Sequence, residues 1–225
     1  MALAITTTSK LCFNRGTSIV LSGPPKIGKS WSLRTLPGRV LIVDVEDGQL
    51  VNQGVDIPAV QIKTWDDAKE LLEKLQNDPE WHQFDCIAVD SISELAEMRL
   101  ASALKNAGDK RAAYGQMADD ITQWLKDMAR LPQHIVFLCK YQRNKMGVWT
   151  PLFPGSQLEQ NLFFWMDEIL VMRMVEGQDG APVRLIQCQS CDEHQAGDRS
   201  GTLDFFETPD LTNIITKIMS GGIQQ

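Results

Sequence analysis

The sequence has 225 residues, of which 43% are hydrophobic and 23% are charged, and this composition is ordinary for a globular protein. Its net charge of −7 excludes a generally basic nucleic-acid binder, so any DNA contact would have to come from a local basic patch. No apolar run approaches the roughly 20 residues of a membrane-spanning helix, and the first residues do not resemble a secretory signal. We therefore expect a cytoplasmic protein with no membrane partner.

The predicted elements alternate between strands and helices over the first two thirds of the chain. Short runs rich in Val and Ile predict buried parallel strands at residues 17–23, 38–46, 58–63, 84–90 and 134–140. Apolar residues at helical spacing predict intervening helices at residues 65–76, 91–108 and 113–131. This alternation indicates an α/β fold with a mainly parallel sheet flanked by helices.

The last third of the chain has a different pattern. Residues 166–176 and 183–190 predict two antiparallel strands that form a hairpin. Residues 208–222 predict a helix with Thr208 as its N-cap. The sequence contains no repeat and no long linker, so we interpret residues 1–225 as a single domain with a C-terminal antiparallel hairpin extension.

The strongest motif follows the first predicted strand. Residues 23–30 fit the phosphate-binding pattern G-x-x-x-x-G-K-[ST], with a strand before them and a helical segment after them. In such a loop the backbone amides surround phosphate oxygens, the lysine reaches the terminal phosphates, and the serine hydroxyl ligates Mg²⁺. A chance match in a surface turn is the alternative, which the flanking elements disfavour. The predicted ATP-binding residues are Gly23, Pro24, Pro25, Lys26, Ile27, Gly28, Lys29, Ser30 and Trp31.

Acidic residues end two of the predicted strands. Asp90 ends the fourth strand, and ligands of open α/β sheets bind at the carboxyl ends of the strands, so we predict that Asp90 and Ser30 hold Mg²⁺. The alternative role for Asp90 is to cap the following helix. Asp44, Glu46 and Asp47 end the second strand, and their spacing alone does not decide which of them orients an attacking water molecule.

Together these segments resemble the core of RecA-like P-loop ATPases. Residues 43–46 are similar to that family's Asp-x-Glu strand, so the resemblance assigns the water-activating role to Glu46, and it assigns the metal-binding role to Asp90, which is followed by Ser91. Over residues 16–212 the chain resembles the phage-encoded RecA-like ATPases of the Sak type, which act in single-strand annealing and recombination. The resemblance implies Mg-ATP hydrolysis, a homo-oligomeric ring or filament, and single-stranded DNA and a phage single-strand-binding protein as partners.

The segment after the fifth strand, residues 136–148, resembles the DNA-binding loop of RecA proteins. The family's sensor position falls on Tyr141, with Gln142 beside it. Basic side chains neutralise DNA phosphates and aromatic rings stack on bases, whereas the alternative is a solvated basic turn with Trp149 in the core. The predicted DNA-binding residues are Lys140, Arg143, Lys145 and Trp149.

One arginine near the end of the chain resembles a residue that acts on a neighbouring subunit. Arg199 matches the arginine of the Lys-x-Arg-x-Gly motif of RadA and DnaB-like ATPases, in which both basic residues reach a neighbour's γ-phosphate. Gly197 stands at the lysine position, so half of the pair is missing. The resemblance therefore implies Glu46, Lys29 and Arg199 as the catalytic residues.

Three questions stay open at this level. Cys188, Cys191 and His194 have the spacing of half a zinc site, but no second Cys pair exists and the interpretation as alternating strand residues is favoured. A small-molecule or nucleoside kinase would use the same loop and metal, although the chain lacks the Arg-rich lid usual in such kinases. A non-hydrolysing ATP-gated binding module is the third possibility. The oligomeric state, the preferred DNA and any stimulation of turnover by DNA are likewise left open.

Overall fold

A mostly parallel sheet of nine strands organises the fold, which a computed structural model describes for residues 5–7, 15–106 and 108–221. The strands are β1 Ser18–Ser22, β2 Val40–Asp44, β3 Ala59–Gln61, β4 Cys86–Asp90, β5 His134–Cys139, β6 Tyr141–Arg143, β7 Trp149–Pro151, β8 Glu168–Glu176, β9 Pro182–Gln187, β10 Gly197–Asp198 and β11 Phe206–Glu207. The α-helices are α1 Lys29–Ser32, α2 Trp65–Asn77, α3 Ile92–Asn106, α4 Lys110–Met128, α5 Ser156–Trp165 and α6 Leu211–Ser220. The main sheet has the order β11-β9-β8-β1-β5-β4-β2-β3 with β10 beside β8, while β6 and β7 pair with each other.

The five predicted parallel strands are present, and their carboxyl ends lie at one edge of the sheet. β1 pairs with β5, β5 with β4, β4 with β2, and β2 with β3, all in parallel. β5 lies between β1 and β4, and Cys139 at its end lies beside Ser22 at the end of β1. At the next pair of strand ends, Asp44 of β2 lies beside Asp90 of β4. The prediction of a mainly parallel α/β sheet flanked by helices is therefore confirmed.

Apolar side chains cover both faces of the sheet, which explains why the strands read as continuous hydrophobic runs. On one face Val20, Ile87 and Phe137 pack in a core cluster with buried residues of α2, α3 and α4. On the other face Ile19 and Val136 pack with residues that follow the phosphate loop and with buried residues of α6. Burial on both sides holds the strand ends rigidly, and the site is built on those ends.

Side-chain caps decide where the helices begin. Thr64 accepts the Asp67 backbone N–H and Asp67 accepts the Thr64 backbone N–H, which fixes the start of α2 at the predicted place. The prediction of Thr208 as the N-cap of α6 is wrong, because the Asp210 carboxylate instead accepts the Asn213 N–H at 3.1 Å and sets the start of that helix. In the part of the chain that the structure describes, none of the helices combines the length and apolar character needed to cross a membrane.

The predicted C-terminal hairpin is formed by β8 and β9, which pair antiparallel between Val171 and Glu176 on the β8 side. The first residues of β8 pair in parallel with β1, so the hairpin continues the main sheet. The last of these parallel pairs joins Val171 to Ser22, and β8 then runs on from Met172 to Glu176. The hairpin therefore projects beyond β1 at the edge where the phosphate loop begins.

The segment expected to be a DNA-binding loop contains a second, smaller hairpin, β6–β7. Tyr141 pairs with Pro151 and Arg143 pairs with Trp149 across this two-stranded sheet. The turn between the strands is held by Asn144, whose side-chain oxygen accepts the backbone N–H groups of residues 146 and 148 at 3.0 Å. The segment after β5 is thus ordered secondary structure and not an irregular loop.

Candidate active site

The phosphate-binding motif forms the turn between β1 and α1. Gly28 has a φ of 107°, a value that side chains disfavour, and Gly23 lies so close to β8 that an added Cβ would be 2.5 Å from the Met172 carbonyl oxygen. The Lys29 ammonium folds over the loop and donates to the carbonyl oxygens of Gly23 at 2.8 Å and Pro24 at 3.0 Å. Both glycines are therefore required by the backbone path of the loop.

The environment of Lys29 prepares it for an anionic partner. Burial lowers the pKa of its ammonium, although the nearby carboxylate of Asp90 opposes that shift. A phosphate close to the ammonium would favour the charged form of the lysine in the same way. The geometry thus fits the predicted contact of Lys29 with phosphate oxygens.

The other loop residues divide into packing residues and exposed residues. The Ile27 side chain is buried in the core, so only its backbone faces a ligand. Lys26 is exposed and adopts a φ of 62°. Trp31 is 44% exposed, and the Arg34 guanidinium lies 6.0 Å from the centre of its ring. A nucleotide in the loop would therefore meet backbone amides and cations, while Trp31 offers an accessible aromatic surface.

The end of β4 is joined directly to the loop. The Ser30 hydroxyl donates to the Asp90 carboxylate, and the two oxygens are 2.6 Å apart. Asp90 is buried, and this burial raises the pKa of its carboxyl group, with a further contribution from Glu46, while the Ser30 hydrogen bond opposes the rise. The two residues predicted to hold the metal ion are thus in contact, although 59 residues of sequence lie between them.

Two further groups lie at this edge that sequence patterns did not single out as ligands. Asp44 is buried in register with Asp90 and accepts the Gly48 backbone N–H at 3.2 Å. The Gln49 amide lies between the two carboxylates, 3.4 Å from Asp44 and 3.3 Å from Asp90. No spacing rule points to Gln49, because it reaches the site through the short 3₁₀ turn that follows β2.

Glu46 lies at the rim of the same edge. It is exposed, and one of its carboxylate oxygens accepts a hydrogen bond from the Ser91 hydroxyl. Of the three acids at the end of β2, Asp44 is buried and Asp47 is exposed, with a positive φ of 55° and a carboxylate that accepts the Gln61 amide. Glu46 is the one of the three whose carboxylate is both accessible and anchored beside Asp90.

The donor set at this edge suits magnesium. Ser30, Asp90 and the neighbouring Asp44 offer oxygen atoms only, and Mg²⁺ prefers oxygen ligands. Burial together with neighbouring carboxylates makes the ionised form of Asp90 unfavourable until a cation is added. The residues present therefore fit a magnesium ion that would accompany a bound nucleotide.

Lys140 occupies the end of β5, between the loop strand and β4. Its ammonium is 2.5 Å from Glu94 and 3.5 Å from Glu97, both on α3, and its backbone N–H donates to the Ser93 hydroxyl at 2.9 Å. Burial lowers its pKa, but the hydrogen bond and charge of Glu94 outweigh that effect and leave the pKa raised. The Lys140 ammonium thus forms ion pairs with its own chain, and its predicted DNA contact stays a prediction.

The other predicted DNA-binding residues lie on the β6–β7 hairpin. Trp149 stacks on Tyr141 with ring centres 4.8 Å apart, and the Arg143 guanidinium lies 5.5 Å from the centre of the Trp149 ring. Lys145 is exposed at the turn, beside Met146, which is 84% exposed. The alternative of a Trp149 ring in the main core does not hold, because the ring is partly exposed on this hairpin.

The two predicted sensor residues contact the surroundings of this hairpin. Tyr141 shares a hydrogen bond with His194 through its hydroxyl group, and burial raises the pKa of that hydroxyl. Gln142 donates from its amide to the Glu159 carboxylate at 3.2 Å. Gln142 and Glu159 line an open cleft of about 640 Å³ between the hairpin and α5. A sensor role for either residue stays a prediction.

Arg199 lies at the opposite end of β1 from the phosphate loop. Its guanidinium donates to the Phe164 carbonyl oxygen at 2.9 Å and is 3.5 Å from Asp167, which precedes β8. Asp167 in turn accepts the Ser18 backbone N–H at the first residue of β1. Arg199 therefore does not reach the loop of its own chain, and its predicted role on a neighbouring subunit stays a prediction.

The zinc-like spacing near residue 190 does not produce a metal centre. The thiol of Cys188 is buried, Cys191 is exposed, and the His194 ring bonds to Tyr141. Within the described ranges no three His, Cys, Asp or Glu side chains come together as a candidate metal site. Cys86 and Cys139 are free and buried, and burial raises the pKa of each thiol to about 12.

The loop between a buried strand and a helix, its contact with an acidic strand end, and the strand order together define an α/β P-loop NTPase core. A family model described as an AAA domain, AAA_24, matches residues 15–200. Because this match covers most of the chain, the chain belongs to that family and is an AAA-type P-loop ATPase domain. No curated protein is significantly similar to the chain.

Proposed function

We propose that this domain hydrolyses ATP with magnesium and that its nucleotide state controls its hold on single-stranded DNA. The observation that supports magnesium-dependent ATP hydrolysis is the 2.6 Å hydrogen bond between Ser30 and Asp90. It joins the loop that surrounds phosphates to the strand end that would hold the metal ion, and Glu46 is anchored next to both through Ser91.

Each residue has a distinct task in this proposal. The loop amides and Lys29 bind the phosphates, and Ser30 with Asp90 would hold magnesium, which neutralises charge on the phosphates when it is bound. Glu46 orients the attacking water and accepts its proton, because its carboxylate is accessible and is fixed by the Ser91 hydroxyl.

Calorimetry and turnover measurements on two variants test the hydrolysis. Lys29→Ala should abolish measurable Mg-ATP binding, since it removes the cation that faces the phosphates. Glu46→Gln should keep binding but lower turnover by at least about 100-fold, the usual share of a general base. Tight Mg-ATP binding with a background turnover that Glu46→Gln leaves unchanged would favour a non-hydrolysing module, and wild-type protein that takes up no Mg-ATP would refute the proposal.

The DNA half of the proposal is supported by where the basic hairpin lies. Arg143 and Lys145 belong to β6–β7, which directly follows β5, and the end of β5 adjoins the loop strand in register with Ser22. A shift of Lys140 on nucleotide binding would therefore move the start of the hairpin. Because the chain carries a net charge of −7, we expect weak binding by one subunit and cooperative binding by many.

DNA stimulation is measured as ATPase rate with and without single-stranded DNA at several salt concentrations. We expect Arg143→Ala and Lys145→Ala to lose stimulation while keeping nucleotide affinity, because both residues belong to the β6–β7 hairpin and neither is part of the phosphate loop. Arg130→Ala, which removes an exposed arginine near the end of α4, is the charge-matched control. ATP consumption that ignores DNA but needs a small acceptor would instead identify a kinase.

The proposed biological role is phage recombination or strand annealing by a homo-oligomer, with a phage single-strand-binding protein as a partner. Arg199 supports the oligomer, since it lies at the sheet edge opposite its own loop and half of its side chain is exposed. Mixing Lys29→Ala with Arg199→Ala subunits tests it. Each variant lacks a different half of a shared site, so mixed oligomers should recover part of the activity, and no recovery would exclude a shared site.

A further inference from the structure

The β8–β9 hairpin forms one wall of the phosphate loop. Beyond its last pair with β1, β8 continues past the sheet edge, and the Met172 carbonyl oxygen lies against Gly23. On the neighbouring strand β9, Arg184 pairs with Met174 in this projecting part of the hairpin. The hairpin thus packs against the start of the loop at Gly23, and Arg184 lies on the part of β9 that projects past the end of β1.

The Arg184 side chain lies directly over the loop. A Cβ built on Gly28 would be 3.1 Å from one Nη atom of Arg184 and 3.2 Å from its Cζ atom. Arg184 is exposed, and its guanidinium has neither an ion pair nor a hydrogen bond to the residues that the structure describes. An exposed guanidinium without a carboxylate partner, held against a phosphate-binding loop, is placed to bind an anion.

The strand order shows from which side Arg184 approaches. β5 and β4 lie on one side of β1 and bring Asp90, the predicted metal-binding acid, to the loop. β8 and β9 lie on the other side of β1. Arg184 therefore approaches the loop from the side opposite the metal ion, whereas the terminal phosphate of Mg-ATP would lie towards Asp90 and Glu46.

We propose that Arg184 binds the phosphate nearest the nucleoside in a nucleotide held by the same chain. This inference rests on the proposed nucleotide binding and adds a ligand that no motif predicts. Since ADP and ATP share that phosphate, Arg184 contributes equally to the affinity for both and does not act on the transferred γ-phosphate. It works within one subunit, in contrast to the predicted role of Arg199.

The test compares dissociation constants for ADP and ATP, measured by calorimetry with magnesium, with the steady-state kinetics of the same proteins. Arg184→Ala should weaken both nucleotides by about tenfold, the size expected for a charge-assisted hydrogen bond, and leave kcat unchanged. Arg184→Lys keeps the charge but not the planar guanidinium, so its nucleotide affinities should lie between those of the wild type and those of Arg184→Ala. The ratio of variant to wild-type affinity should not depend on protein concentration.

Two controls separate this role from a general effect. Arg130→Ala removes one exposed arginine far from the loop and should leave both affinities unchanged. Val183→Ala trims an exposed neighbour of Arg184 on β9 and should likewise be neutral, which shows that the hairpin tolerates substitution.

The outcomes are distinct from those of the parent proposal. Wild-type protein that binds no nucleotide refutes nucleotide binding itself. If the wild type binds nucleotide and the Arg184→Ala affinities for ADP and ATP are within twofold of the wild-type values, only the role of Arg184 is overturned. Loss of ATP affinity alone, or a lower kcat with unchanged ADP affinity, would also overturn it, because either result would place the arginine at the γ-phosphate.

Discussion

Two groups of acidic residues lie at opposite ends of the central sheet, and they are satisfied in different ways. At the carboxyl ends of the strands the hydrogen bonds to Asp44, Asp90 and Glu46 that the described residues supply come from neutral hydroxyl, amide and backbone donors. At the other end Asp167 forms a two-pronged ion pair with Arg15, at 2.6 and 2.7 Å. The first group leaves negative charge for a ligand to neutralise, whereas the second is neutralised by the protein itself.

A second pair at the amino-terminal edge shows the same self-sufficiency. Glu168 is fully buried, and burial followed by the charge of Asp198 raises its pKa to about 8. Although burial opposes it, the pKa of Asp198 is lowered by hydrogen bonds from Ser200, Leu203 and Glu168. We therefore expect the pair to hold one proton and one negative charge near neutral pH without a ligand.

The largest expected contrast is between activity and stability at the carboxyl edge. Asp90→Asn should lower ATP turnover by at least about 100-fold, because it removes a charged ligand from the predicted metal site. The same substitution should leave the free energy of unfolding unchanged or raise it by about 1 kcal/mol, since it removes a buried carboxylate whose ionised form is disfavoured. Turnover and urea unfolding measure the two effects, and a strongly destabilised variant would contradict the comparison.

Asp167→Asn should show the opposite behaviour at the amino-terminal edge. It removes the charge that forms the ion pair with Arg15 and weakens the bonds to Ser18, so the free energy of unfolding should fall by about 2 kcal/mol after allowance for the partial exposure of Arg15. Nucleotide affinity of the folded protein should not change. Lost affinity with intact stability would show that the two edges are not independent.

The Glu168 pair predicts a dependence of stability on pH. The folded protein keeps the Glu168 proton up to about pH 8, while the unfolded chain releases it near the ordinary pKa of 4.5. The folded state therefore binds more protons in this window, and stability should fall as pH rises through it, with a slope of up to about 1.4 kcal/mol per pH unit. Glu168→Gln, which mimics the protonated form, should flatten this slope, and an unchanged slope would refute the shared proton.

The smallest expected change in stability is for Arg199→Ala. Half of the side chain is exposed and its distance to Asp167 is 3.5 Å, so the loss should be about 0.5 kcal/mol. Because Arg199 contributes little to stability, a loss of turnover in Arg199→Ala would report on function and not on unfolding. A thermal melt close to that of the wild type, together with a large loss of turnover, would support the role on a neighbouring subunit, while unchanged turnover would count against it.

The sequence alone predicts much of the candidate site. The loop at residues 23–30 is a local pattern, and Asp90 stood out because the carboxyl ends of parallel strands meet at one edge. The choice of Glu46 among three acids depended on a family resemblance. The sequence does not point to Gln49 or Arg184, because neither lies in a motif: Gln49 reaches Asp90 through the turn after β2, and Arg184 reaches the loop from β9, which is distant in sequence.

The sequence by itself determined the five parallel strands, the C-terminal hairpin, the phosphate loop and the acidic strand ends, since hydrophobic runs and turn chemistry act over a few neighbouring residues. Only the tertiary structure decided that β5 lies between β1 and β4, that Arg184 covers Gly28, and that buried Glu168 lies beside Asp198. These contacts arise from how the elements pack against one another, and packing brings together side chains that no local pattern connects.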